Sequence, residues 1–128
     1  FIDFIDDGNN YSGNLLPGIP AQNIYVGLNW QPINPLLIDI HYRFAGKQFL
    51  NDANSGSTKA YQLTDLKLSY QKSFGKVSFK VSGGINNLFN IGYASMLLVN
   101  APSFGNAAPR YYYPGMPRHF YLGLGVGW

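Results

Sequence analysis

His119-Phe120-Tyr121-Leu122-Gly123-Leu124-Gly125-Val126-Gly127-Trp128 is the stretch whose reading decides the fold. It alternates with period two: Phe120, Leu122, Leu124, Val126 and Trp128 fall on one face, and His119, Tyr121, Gly123, Gly125 and Gly127 on the other. Side chains of a β-strand point to opposite faces in turn, so this is a strand with one apolar and one polar face. Four more segments upstream share the pattern. Ile24, Val26, Leu28 and Trp30 alternate with Asn23, Tyr25, Gly27 and Asn29. Ile38, Ile40, Tyr42 and Phe44 alternate with Asp39, His41, Arg43 and Ala45. Leu66, Leu68 and Tyr70 stand against Asp65, Lys67 and Ser69, and Val77, Phe79, Val81 and Ile85 against Ser78, Lys80, Ser82, Gly84 and Asn86. A weaker first strand is expected over Phe1 to Ile5. No segment has a helical period.

The connections sort by length. Gln31–Pro35 and Lys72–Lys76 are short, whereas Asp7–Pro20, Asn51–Ala60 and Ile91–Pro117 are long and rich in Gly, Asn, Ser and Pro. Short turns at one end and long loops at the other are the pattern of an outer-membrane barrel. Trp30, Tyr70 and Trp128 lie toward the short-turn ends, where an interfacial aromatic girdle is expected. Composition agrees. Charged residues are 12% of the 128, about half the usual share of soluble domains. Aromatics reach 16%, yet mean hydropathy is only −0.09 and no stretch has the ~20 apolar residues of a transmembrane helix. The fold class expected is all-β: a membrane-spanning antiparallel up-and-down barrel, of which this chain holds about six strands. Six strands do not close a membrane barrel, because unpaired strand edges are too costly in lipid. The rest of the sheet must therefore come from elsewhere in the molecule. The start at Phe1, with neither Met nor a signal peptide, fits a processed chain or a piece of a longer one.

Several function classes recede on the same evidence. A net charge of +3 with nine scattered Lys and Arg gives no nucleic-acid footprint. There is no Cys, and His41, His119, Met96 and Met116 do not share ligand spacing on one strand, so no metal or cofactor is expected. Asp39 and His41 share a face at i and i+2, but no nucleophile stands beside them by local spacing, and no catalytic residue is assigned. The polar-face group Asp39, His41, Arg43, Asp65, Lys67 and Lys80 reads as lumen-facing, with cross-strand charge pairs between the third and fourth strands. In the last long loop, Ser103-Phe104-Gly105-Asn106 precedes Arg110-Tyr111-Tyr112-Tyr113. Arg and Tyr dominate recognition surfaces, so Arg110, Tyr111, Tyr112 and Tyr113 are ligand-contact candidates; an upper aromatic girdle or loop packing would use the same residues.

Short motifs add a family resemblance. Asn86-Asn87-Leu88-Phe89-Asn90 followed by Tyr93 resembles the "NNLFD…Y" motif near the end of TonB-dependent receptors. Gly13-Asn14-Leu15-Leu16-Pro17-Gly18-Ile19-Pro20 is similar to that family's "GN-x-hydrophobic-PG-hydrophobic-P" stretch. Phe44-Ala45-Gly46-Lys47-Gln48-Phe49 and Asn51-Asp52-Ala53-Asn54 resemble its "G-[KE]-Q-[YF]" and "DAN" positions. Gly123, Val126 and Trp128 resemble the C-terminal signal read by the barrel-assembly machinery, with Trp where the family usually has Phe. Pro17-Gly18-Ile19-Pro20 and Pro114-Gly115-Met116-Pro117 also form a partial internal repeat, each opening a strand.

The resemblance implies a 22-stranded barrel of which residues 1–128 are the C-terminal segment, with the plug domain and TonB box lying outside this chain. It implies a Gram-negative outer-membrane receptor that imports a scarce nutrient with energy from TonB, the cargo being a siderophore-iron complex, another metal chelate, a glycan or a peptide. It implies as partners the remaining barrel and plug, the TonB complex, the assembly machinery and outer-membrane lipid. A surface-exposed substrate-binding lipoprotein is a further candidate partner. A passive porin-like channel is the competing reading, and it would lack the plug.

Overall fold

The computed structural model describes residues 3–103, 105–106 and 109–128. These form nine strands and, among the described residues, no helix. The strands are β1 (Ile5–Asp6), β2 (Asn9–Asn10), β3 (Asn23–Ile33), β4 (Leu36–Ala45), β5 (Tyr61–Phe74), β6 (Val77–Asn86), β7 (Ala94–Leu97), β8 (Tyr112–Pro114) and β9 (His119–Gly127). The chain divides into two compact units: Ile24–Phe44, Gln62–Ile91 and Met116–Trp128 make a sheet unit, and Phe1–Asn23, Ala45–Tyr61 and Gly92–Gly115 make a loop unit.

The sheet unit is one antiparallel sheet in the order β3-β4-β5-β6-β9. Alternation fixes its register. From the short-turn end upward, the apolar rungs are Phe74–Val77, Lys72–Phe79–Val126, Tyr70–Val81–Leu124, Leu68–Gly83–Leu122 and Leu66–Ile85–Phe120. The intervening rungs on the other face are Ser73–Ser78–Gly127, Gln71–Lys80–Gly125, Ser69–Ser82–Gly123 and Lys67–Gly84–Tyr121. A one-residue slip would exchange these sets wholesale, so the pattern locks the pairing. The final strand pairs with β6 as its alternation requires, and the chain between them is diverted into the loop unit.

Both short connections are tighter than their composition suggests. Gln31, Pro32 and Ile33 belong to β3, and Lys72, Ser73 and Phe74 belong to β5, so each turn is two residues: Asn34-Pro35, joined by a cis peptide, and Gly75-Lys76. Polar residues do not end β5 because half of its positions face the polar side anyway. Lys72 is the one cation on the apolar rungs. Its ammonium lies 5.2 Å from the centroid of the Phe74 ring, so the stem can run along the apolar face while the charge reaches the strand end. Gly75 has φ 61° at the first turn position, the pattern of a type II′ hairpin. Phe74 and Phe79 meet edge-to-face at 6.3 Å, and Trp128 follows directly on the Ser78–Gly127 pair, so aromatics do gather at this end. Tyr70 is a correction to that girdle: pairing with Val81 puts it two apolar rungs further in.

Tyr121 lies across Gly84 on the polar face. A Cβ at Gly84 would collide with the tyrosine hydroxyl and lie 2.7 Å from the Leu66 carbonyl oxygen, so only glycine lets the ring cover the backbone there.

No side chain among the described residues is fully buried, and the buried hydrophobic residues are only Ala45, Leu50 and Leu63. Leu122, Leu124 and Val126 are 74%, 77% and 59% exposed, and Ile24, Val26, Leu28 and Trp30 are each about half exposed. A sheet with one apolar face left exposed and glycines, hydroxyls, amides and lysines on the other has the two-faced pattern that a barrel wall in lipid requires.

In the loop unit, the strand expected over Phe1 to Ile5 is replaced by a small hairpin. Phe1 and Ile2 lie outside the described residues. Ile5 pairs with Asn10 and Asp6 with Asn9 around the turn Asp7-Gly8, so the five-stranded sheet contains no sixth strand from this segment.

Candidate functional site

On the polar face the structure gives the charged or ionisable candidates different surroundings. The Asp39 carboxylate, on β4, is buried and accepts a hydrogen bond from the Asn29 amide on β3. His41 packs instead against Gly27, whose Cβ position is 3.5 Å from its ring, and against Tyr25, with ring centroids 5.8 Å apart. Asp39 and His41 are therefore not coupled to one another. Arg43 is exposed two residues further along β4. Lys67 is paired with Gly84, and Lys80 stands between Gln71 and Gly125. Gly84 beside Lys67 and both rung neighbours of Lys80 are neutral. Near the short-turn end, Gln31, Asn34, Leu37, Ser69, Gln71 and Lys80 line an open groove of about 330 Å³. Leu37 breaks the polar pattern there.

Asp65 has a different task from the one its charge suggests. Its Oδ1 accepts the backbone N–H of Asn87 at 2.8 Å. Asn87 is only 4% exposed and has φ 52°, a left-handed conformation that asparagine tolerates better than most residues. Its Nδ2 donates to the carbonyl oxygens of Ile91 (2.9 Å) and Met116 (3.1 Å), and its Oδ1 accepts the Ile91 N–H at 2.8 Å. Leu88 N–H donates to Thr64 O, and Asn90 Oδ1 accepts the Arg118 N–H. The Asn86-Asn87-Leu88-Phe89-Asn90 motif is thus a knot that ends β6 and ties it to β5 and to the entry of β9. Beside it, the Asn86 amide meets His119 Nε2 at 2.9 Å while His119 Nδ1 lies 3.0 Å from Pro117 O, an arrangement that suits a proton on Nδ1.

The loop unit is laced by asparagines. Asn14 Nδ2 donates to Asp52 O, and Asn54 accepts from Leu15 N–H and donates to Leu15 O. Asn100 N–H donates to Leu50 O, its amide donates to Asp52 Oδ2, and its Oδ1 accepts Asp52 N–H. The two halves of the internal repeat behave alike: Gly18 N–H donates to Phe49 O and Gly115 N–H to Tyr93 O. Asn54 and Asn100, like Asn87 and Asn90, have positive φ. Three long connections are thereby held as one body.

Within that body the ligand-contact candidates are spread along a hairpin. Met96 pairs with Tyr113 and Leu97 with Tyr112, and Leu98 N–H donates to Tyr111 O at 2.7 Å. Tyr111 is half-buried, whereas Arg110, Tyr112 and Tyr113 are exposed. Phe104, Ala107 and Ala108 lie outside the described residues, so the Ser103–Asn106 stretch is described only in part. A cavity of about 460 Å³ opens in this unit, walled chiefly by Leu50, Tyr93, Ala94, Tyr112 and Pro114, with Ser57, Thr58 and Lys59 also in its lining. Sequence reading missed it, although Tyr93 and the neighbours of Leu50 stand in quoted motifs. Its lining comes from three separate segments of the chain.

Gly123 and Val126 lie on the edge strand β9, paired to Ser82 and Phe79, and Trp128 directly follows that strand and is 96% exposed. The family described as TonB dependent receptor-like, beta-barrel matches residues 1–88, ending inside the asparagine knot.

Proposed function

Because the chain belongs to the TonB-dependent receptor-like β-barrel family, we propose that it forms part of the wall and mouth of a receptor that imports a scarce nutrient across the outer membrane. Its place is the Gram-negative outer membrane, and members of the family are transporters. The cargo class we propose is a siderophore-iron complex, another metal chelate, a glycan or a peptide. Residues 1–128 act as the C-terminal segment of the barrel, with the plug and TonB box carried by another part of the molecule. Lipid faces the apolar rungs, and the lumen faces Asp39, His41, Arg43, Asp65, Lys67 and Lys80. Energy arrives through TonB. Gly123, Val126 and Trp128 engage the assembly machinery, and a surface-exposed lipoprotein can present cargo to the loops.

The observation that supports this best is the inverted polarity of the sheet joined to a loop unit with its own hydrogen-bond framework. A lipid-embedded wall needs the first, and a ligand-facing mouth needs the second. The test is uptake by cells carrying the whole receptor. Accumulation of cargo should stop when TonB is deleted and should fall in the Arg110→Ala, Tyr112→Ala double variant while barrel levels in the membrane stay constant. Uptake that continues at full rate without TonB would contradict the reading.

A further inference from the structure

The groove at the short-turn end of the polar face gathers side chains whose bonding capacity this chain does not use. Gln31, Leu37, Ser69, Gln71, Ser73 and Lys80 contribute to its lining. Ser69 is only 7% exposed, yet its hydroxyl has no hydrogen-bond partner among the described residues. Buried hydroxyls are nearly always paired, and this one lines a groove that a second group can enter. Lys80 is exposed and makes no ion pair among the described residues. The sheet unit holds two carboxylate side chains, Asp39 and Asp65. Both are engaged elsewhere, Asp39 by the Asn29 amide and Asp65 by the Asn87 N–H. On β9, Lys80 faces Gly125, so that strand brings no side chain to cover it. Leu37 adds an exposed apolar surface to the same groove. The lining therefore asks for a partner that is anionic at one point and apolar at another.

We propose that this groove docks an extended segment of the receptor's own polypeptide, from outside residues 1–128, that presents a carboxylate to Lys80 and an apolar side chain to Leu37. Ser69 donates to an oxygen of that segment, and the Gln31 and Gln71 amides meet its main-chain N–H and C=O groups. A free anion is the weaker occupant. One exposed lysine contributes little to binding on its own, and inorganic phosphate would leave Leu37 uncovered. A tethered segment reaches the groove at high effective concentration, so contacts of modest strength suffice. The inference rests on the receptor reading, which places this face inside a larger barrel.

The experiment treats the whole receptor in isolated outer membranes with a water-soluble carbodiimide. The reagent joins a lysine to a touching carboxylate as an amide and takes up the water that is lost. Mass spectrometry of the digested receptor then identifies the joined peptides. Lys80 should be joined to an Asp or Glu of the same receptor outside residues 1–128. Ser69→Val and Leu37→Ser, which leave the reacting lysine in place, should each lower the yield about two- to tenfold. Lys76→Gln, in the short turn, should leave it unchanged. Excess inorganic phosphate should lower the yield no more than chloride of equal ionic strength; a selective effect of phosphate would reveal a free-oxyanion site and overturn the proposal. So would a Lys80 product with Asp39, Asp65 or another protein, the absence of any Lys80 product, or a yield indifferent to Leu37→Ser. The wild-type arm decides even if Ser69→Val fails to reach the membrane. Those failures leave TonB-dependent uptake intact, whereas TonB-independent uptake would sink the receptor reading whatever Lys80 touches.

Discussion

Replacing Leu124 by Arg tests the depth of the apolar face. Leu124 sits on the third of five apolar rungs, beside Val81 and Tyr70. Successive rungs are two residues apart, roughly 6.6 Å along the strand. With a strand tilt of about 40°, five rungs span about 20 Å along the membrane normal, close to the ~25 Å apolar band of outer-membrane barrels. Leu124 therefore lies at the midplane and Phe120, two rungs higher, about 10 Å from it. Relative to Ala at the same site, Arg at Leu124 should cost about 2–4 kcal/mol and Arg at Phe120 about 0–1 kcal/mol. Ser at Gly125 should cost little, since a Cβ there meets only Lys80 at 3.6 Å. The assay is reversible denaturant unfolding of the receptor in lipid vesicles, followed by tryptophan fluorescence. Equal costs at Leu124 and Phe120, or a Gly125→Ser penalty as large as that of Leu124→Arg, would refute the argument.

The asparagine knot offers a second test: Asn87→Ala removes three side-chain hydrogen bonds from a buried site and should destabilise by about 2–4 kcal/mol in the same unfolding assay. Asp65→Asn should be nearly neutral because an amide oxygen can still accept the Asn87 N–H, while Asp65→Ala should cost about 1–3 kcal/mol; a large Asp65→Asn effect would restore the charge-pair reading. Deleting Trp128 should lower the amount of receptor inserted in outer membranes, read by surface labelling, more than it lowers ligand affinity of the molecules that do insert.

The sheet was legible because its information is local. Alternation in 119–128 and 77–86 is enough to set faces, partners and register, and glycine at position 83 leaves the apolar rung intact because Leu68 and Leu122 flank it. Strand ends were less legible. Lys72 and Ser73 look like turn residues, yet their side chains fit a strand whose end reaches water. The loop unit was hardly legible. Its bonds join Asn14 to Asp52 and Asn100 to Leu50 across 38 to 50 positions, with no periodicity to announce them. The β7–β8 hairpin has strands of four and three residues with a register shift, too short to alternate. Asp65 was misread for a related reason: charge on a strand predicts a charged neighbour, whereas its partner is a backbone N–H presented by Asn87 at positive φ. The motif that contains Asn87 marked the family without revealing that it works as a knot.

The most direct test of the account is single-cysteine scanning of residues 120–127 in the whole receptor, in intact outer membranes. This chain has no cysteine of its own to confuse the labelling. Cysteines at Phe120, Leu122, Leu124 and Val126 should react with a lipid-soluble maleimide and resist a water-soluble one, and those at Tyr121, Gly123, Gly125 and Gly127 should show the reverse. Labelling without a period of two, or with the two sets exchanged, would contradict the assignment of lipid and lumen to the two faces.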